Sequence, residues 1–231
     1  MAGGSPKQFL RGVPWAALML ASVTHAASDN HRTGGAAPTA TPATHMAKMV
    51  MPAAYYGMAE AARGDSLLRT VMLDAHNAER ASLGLSPLEW DDALAADAAR
   101  HAGDMARTGL FRHSARAGRA IPSGENLWMG PRHLYGYDAM AGAFLDEKRL
   151  TRINGKLPDL SSTGRWQDVG HYTQMIWRGT RKLGCALRDG PQNEYLVCRY
   201  FPAGNIFGKG PLDADDTPIP AGERQMARVT P

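Results

Sequence analysis

At 231 residues, with 44% hydrophobic residues, the chain suits one globular domain with flexible ends better than two domains. The net charge of +4 is small. Arg100, Arg107, Arg112, Arg178, Lys182 and Arg199 are scattered among acids rather than gathered on one stripe, which argues against nucleic acid as a partner.

The N-terminus has its own grammar. Lys7 and Arg11 precede a mostly apolar run from Gly12 to Ala21, and small residues at Thr24 and Ala26 follow. That order predicts a secretory signal peptide over residues 1–26, and the apolar run is shorter than the roughly 20 residues a permanent membrane helix needs. Residues 27–64 are rich in Ala, Thr, Pro, Gly and Met and predict a linker. His31, His45, Met46, Met49 and Met51 in that stretch are soft-metal ligand types at irregular spacing, which suits a solvated tail better than a copper site.

Helical patterning begins near Asp65, where Leu67, Val71, Leu73, Ala78 and Leu83 suggest one apolar face ending at Gly84. Asp91 or Asp92 is a candidate N-cap for a second helix through Leu94, Ala98, Ala102 and Met105, with Gly109 at the left-handed stop. A third helix is expected over Tyr137–Leu150. A polar loop follows from Thr151 to Trp166, then a short helical piece over His171–Trp177, with a strand as the alternative. Two strands, "KLGCALR" and "EYLVCRY", close the domain around the turn-forming "DGPQN". Helices followed by antiparallel strands, without βαβ alternation, argue for an α+β fold. The tail, 210–231, reads as loop.

Export to an oxidising compartment favours a disulfide. Cys185 and Cys198 are symmetric about the turn, and facing residues of a hairpin have Cα separations of about 4.5–5.5 Å, within bridging range. A Cys185–Cys198 bridge is therefore expected, the alternative being two buried free thiols.

Three chemistries compete. "GDSLL" around Ser66 resembles the GDSL esterase signature, and Asp168 and His171 have the D-x-x-H spacing, so a Ser66-Asp168-His171 set is complete on paper. Its context is poor: no buried strand precedes Gly64, and Ser66 reads better as helix-start chemistry. The second is a cluster of His113, Glu125, Glu147 and His171, able to ligate zinc or to act as acid and base. Spacing alone does not select these four from eight histidines; His76 and His101 read as surface or satisfied structural residues. The third is lipid binding through Leu127, Trp128, Met129, Leu134, Tyr135 and Tyr137, residues that serve equally well as core.

"GHYTQMIWRGT" followed by "YLVCRYFPAGN" resembles the paired signatures of the CAP superfamily, which includes cysteine-rich secretory proteins, venom antigens and plant pathogenesis-related proteins. "LDAHNAERASLGLSPLEWDDALAADAARHA", "FRHS" and "GENL" extend the likeness over about 65–209. The resemblance implies a three-layer α-β-α sandwich whose central cleft bears His113, Glu125, Glu147 and His171, with Gln174 lining it. Phe144 stands where the family usually shows tryptophan, which makes Glu147 the loosest match. The same resemblance implies an exported binding module with a His113/His171 site for a divalent metal, most naturally zinc, completed by water. Its ligands would be lipid, sterol, glycan or peptide, or another component of the cell envelope. The alternative is a hydrolase with Glu125 or Glu147 as general base. No membrane span is expected after cleavage, and localisation would be secreted or periplasmic.

Overall fold

The computed structural model describes residues 60–214. The expected signal peptide, most of the linker with its His and Met candidates, and the tail beyond 214 lie outside the described residues. In chain order the elements are α1 (Asp65–Ser82), β1 (Glu89–Trp90), α2 (Asp92–Thr108), β2 (Gly124–Pro131), α3 (Tyr137–Leu145), α4 (Gly170–Met175), β3 (Lys182–Asp189) and β4 (Asn193–Phe201).

Among the described residues four strands form one sheet in the order β1-β3-β4-β2, with β1 parallel to β3 and the other pairs antiparallel. Alternation along β3 and β4 sends side chains to two separate cores. Leu183, Cys185, Leu187, Leu196, Cys198 and Tyr200 meet Leu68 and Met72 of α1, Met140 and Phe144 of α3, and Tyr172 and Met175 of α4. Ala186, Tyr195 and Val197 meet Ala98, Ala102 and Met105 of α2 on the opposite face. The result is an α-β-α sandwich. At Gly184 an added Cβ would lie 2.3 Å from the backbone nitrogen of Ala95, so the glycine lets α2 rest directly on β3.

Local chemistry explains α2. The Asp91 side chain accepts from Leu94 N–H at 2.9 Å, and Gly109 ends the helix at φ 72°. In α1 the element is where periodicity puts it, but its buried stripe is Leu68, Met72, His76 and Arg80, while Leu67 is exposed. The reason is that two polar residues complete the stripe. His76 bonds Met72 O and the Tyr200 hydroxyl, and Arg80 donates to the carbonyls of Ser86, Met175, Trp177 and Thr180.

Other expectations are corrected. The third helix is α-helical only to Leu145, and Asp146–Leu150 tightens into a 3₁₀ turn. The short piece is helical over Gly170–Met175, which excludes the strand alternative. β1 and β2 join the two expected strands. The loop from Thr151 to Trp166 buries Leu157 and Leu160 with Val169 in a small core of its own. Cys185 and Cys198 face each other in the β3–β4 register and are bridged, with Cα atoms 4.1 Å apart. Both ends of the described region are tied down: Arg63 reaches Glu194, and Arg178 N–H donates to Pro211 O.

Candidate functional site

His113 lies in the loop after α2, and Glu125 is the second residue of β2. Glu125 is the direct cross-strand neighbour of Arg199 on β4, so opposite charges meet by register. Its carboxylate accepts from His113 Nδ1 at 2.6 Å, from Ser114 N–H at 3.0 Å and from the Ser114 hydroxyl at 2.8 Å. Arg199 Nη1 donates to it, and Arg119 Nη2 stands 3.4 Å away. Burial alone would raise the Glu125 pKa. The His113 hydrogen bond, Arg199, Ser114 and Arg119 together outweigh burial and pull it down to about 2. A carboxylate ionised at every ordinary pH can only accept, so His113 donates from Nδ1, and in the neutral imidazole Nε2 is then the nitrogen without a proton. The His113 side chain is 63% exposed.

His171 is the second residue of α4 and stacks on Phe144 with ring centroids 4.9 Å apart and planes 21° from parallel. Phenylalanine thus fills the place where the family pattern led one to expect tryptophan. Glu147, in the 3₁₀ turn after α3, accepts His171 Nδ1 at 2.5 Å on one oxygen. On the other it accepts the backbone N–H groups of His171 at 2.9 Å and Tyr172 at 3.0 Å. One carboxylate therefore caps α4 and orients the ring.

The two dyads are joined through Asn126, the residue after Glu125. Its amide donates to His171 O and to the Tyr200 hydroxyl, both at 3.0 Å. No three donors of His113, Glu125, Glu147 and His171 converge. Among the described residues the group within 4.8 Å of one another is His133, Asp189 and Glu194. That group already has cations. Arg63 grips the fully buried Glu194 with Nε at 2.7 Å and Nη2 at 2.6 Å, and His133 lies 2.8 Å from Asp189. A divalent ion there would have to displace a guanidinium from a buried carboxylate, so the arrangement serves better as an ion-pair clamp on residues 60–64.

Gln174 does not line an open cleft. It is 2% exposed, accepts Gly204 N–H at 3.0 Å and donates to the Thr180 hydroxyl at 3.1 Å. A buried amide must satisfy both ends, and this one does so by bracing the turn after β4. At Gly124 an added Cβ would meet its oxygen at 2.1 Å. The Ser66-Asp168-His171 set is not assembled either. His171 Nδ1 belongs to Glu147, and Asp168 takes the Thr163 hydroxyl at 2.6 Å. Ser66 lies in a groove with Arg69, Trp90 and Asp92 that contains no histidine, and the α1 N-cap is Gly64.

Of the apolar lipid candidates, Leu127 packs under α2, Trp128 and Tyr135 meet each other edge to face beside the other core, and Tyr137 is buried. Only Met129 among them is an exposed large hydrophobic residue. Sequence reasoning missed Ser114, Arg119, Asn126, Arg199 and Asp97, whose carboxylate forms a close ion pair with Arg199. The one available signal was position: Arg199 falls between Cys198 and Tyr200 on the face that alternation assigns to α2.

The family model described as "Cysteine-rich secretory protein family", CAP, matches residues 73–200. This chain belongs to the cysteine-rich secretory protein family. Pathogenesis-related protein 1C of Nicotiana tabacum is 36% identical to it over 140 residues, 60% of this chain and 77% of the relative. Secreted protein RBT4 of Candida albicans is 36% identical over 151 residues, 64% of this chain and 38% of that one. The CAP domain also resembles the crystal structure of NaASP2 with Zn2+, at TM-score 0.54 and 26% identity, covering 65% of this chain and 88% of the other. No helix among the described residues is long and apolar enough to cross a membrane.

Proposed function

We propose that this CAP domain is an exported binding module in which His113 and His171 hold a divalent metal, zinc foremost, through their Nε2 atoms. One observation carries the reading: each imidazole has Nδ1 engaged by a carboxylate, at 2.6 Å from Glu125 and 2.5 Å from Glu147. In the neutral ring that makes Nε2 the nitrogen available to a metal, with the carboxylates behind the rings, where they raise ligand basicity and fix orientation. Neutral imidazole nitrogen is a donor zinc accepts, and two such donors leave positions for water or a ligand oxygen. Bound zinc would supply a Lewis-acid centre for an anionic or carbonyl oxygen of a lipid, sterol, glycan or peptide ligand. The Zn2+ named with NaASP2 supports the choice of metal.

Binding ranks ahead of hydrolysis because neither carboxylate is free to take a proton from water. Glu125, held near 2 by His113, its arginines and Ser114, is a feeble base at neutral pH. Glu147 has both oxygens committed to His171 and Tyr172. The test is native mass spectrometry of protein from an exporting host, before and after chelation, beside the double variant His113→Ala, His171→Ala. Chelator-sensitive zinc in the wild type alone is the expected result. Equal metal content in both proteins, with zinc supplied, would overturn it.

A further inference from the structure

From Arg107 to Gly124 the chain carries four arginines and no acidic residue, and in their midst stand Leu110 and Phe111. Both apolar side chains face solvent, Leu110 at 54% and Phe111 at 43% exposure. The backbone beneath them is firmly held. Gly109 caps α2 through Met105 O, His101 Nε2 meets Arg112 O at 2.8 Å, and Ser114 N–H is bound to Glu125. A pinned loop that still turns two neighbouring large hydrophobic side chains outward has no packing reason to do so.

The charges around this tip divide into committed and free. Arg107 pairs with Asp104 at 2.9 Å, and Arg119 is turned inward toward Ser114, Ser123 and Glu125. Arg112 and Arg116 are exposed, and among the described residues neither has a carboxylate partner. Two exposed guanidiniums without carboxylate partners thus follow the exposed apolar pair in the same loop. Exposed Leu and Phe side chains followed in the same loop by exposed, carboxylate-free arginines suit the boundary between phosphate headgroups and acyl chains.

We infer that the loop Gly109–Arg116 is a docking element for an anionic lipid bilayer, with Leu110 and Phe111 entering the acyl boundary while Arg112 and Arg116 meet the phosphates. His113 lies within this loop, but docking uses Leu110, Phe111, Arg112 and Arg116 rather than its Nε2, so vesicle binding and zinc binding are read out separately. The full chain is sedimented with vesicles of equimolar phosphatidylglycerol and phosphatidylcholine, and with phosphatidylcholine alone. Three proteins are compared: wild type, the pair Leu110→Ser, Phe111→Ser, and the pair Arg112→Glu, Arg116→Glu. All four positions are exposed, so thermal melts should match and serve as the folding control. Binding to anionic vesicles only, weakened at least about tenfold by either pair, is the expected result. No binding by the wild type, or binding untouched by both pairs, would overturn the inference. Loss with the glutamate pair but not the serine pair would also overturn it, because it would mark a purely electrostatic surface of the kind an acidic macromolecule uses.

Discussion

Glu147 holds His171 twice, taking its backbone N–H on one carboxylate oxygen and its Nδ1 on the other. The same side chain therefore caps α4 and aims the ring. Glu147→Gln keeps the shape but not the charge, and should lower zinc affinity by about 10- to 100-fold with little loss of fold. Glu147→Ala leaves the N–H groups of His171 and Tyr172 without an acceptor, and should also cost roughly 1–3 kcal/mol of stability. Calorimetric zinc titration and urea unfolding of both variants separate these effects.

Glu125 is a different case, because it neutralises arginines. Arg199 is 2% exposed and sits between Asp97 and Glu125. Glu125→Gln should cost about 3–5 kcal/mol by leaving buried positive charge undercompensated. Its folded pKa lies below the ordinary 4.5, so the carboxylate's contribution is full above 4.5 and is lost as pH falls toward about 2. Wild type and variant should converge in stability over that acid window. Denaturant midpoints taken at a series of acid pH values would reveal a gap that fails to close.

His76 sets a second pH dependence. It is fully buried, and burial, aided by Arg80, lowers its pKa from 6.5 to about 4 despite the hydrogen bond to Met72. The unfolded chain binds a proton in that interval and the folded protein does not, so stability is complete above 6.5 and falls as pH drops to 4. The loss amounts to roughly 3 kcal/mol. His76→Phe should be less stable at neutral pH but lack this slope, which pH-resolved urea titrations would display.

Arg80 donates to four carbonyls: Ser86 O in the loop after α1, and those of Met175, Trp177 and Thr180, which tie α1 to the end of α4 and the segment beyond it. Arg80→Met fills the space and abandons every acceptor. A loss of more than about 3 kcal/mol is expected, with protease sensitivity appearing around Trp177. Limited proteolysis mapped by mass spectrometry checks the location as well as the size.

The Cys185–Cys198 bridge has a sequence separation of 13 and should contribute about 3 kcal/mol by restricting the unfolded chain. Because the hairpin register also pairs these strands, the double variant Cys185→Ala, Cys198→Ala should still fold. Comparing its unfolding midpoint with those of oxidised and reduced wild type tests both statements.

How much of this was readable from residues alone depends on which forces leave a pattern. The caps of α2 were legible because Asp91 and Gly109 act locally. The buried stripe of α1 was not, since His76 and Arg80 are buried by hydrogen bonding, which hydrophobic periodicity cannot register. β2 escaped for a related reason: Glu125 and Asn126 are both sequestered, so the strand has no polar face to alternate with. His113, Glu125, Glu147 and His171 were named through family resemblance, yet their division into two dyads depends on long-range packing. Leu157 and Leu160 were hidden in a segment whose composition is that of a solvated loop.

Successive residues of β2 serve opposite layers: Glu125 turns to Arg199 and the α2 side, and Asn126 turns to His171 and Tyr200. A slip of one residue against β4 would push a carboxylate into the apolar layer and an uncharged amide among the arginines. Both histidines would lose their supports in the same event. Their alignment is therefore a single all-or-none property of one strand's registration, and a one-residue insertion in β2 should abolish it even where the helices on either side still form.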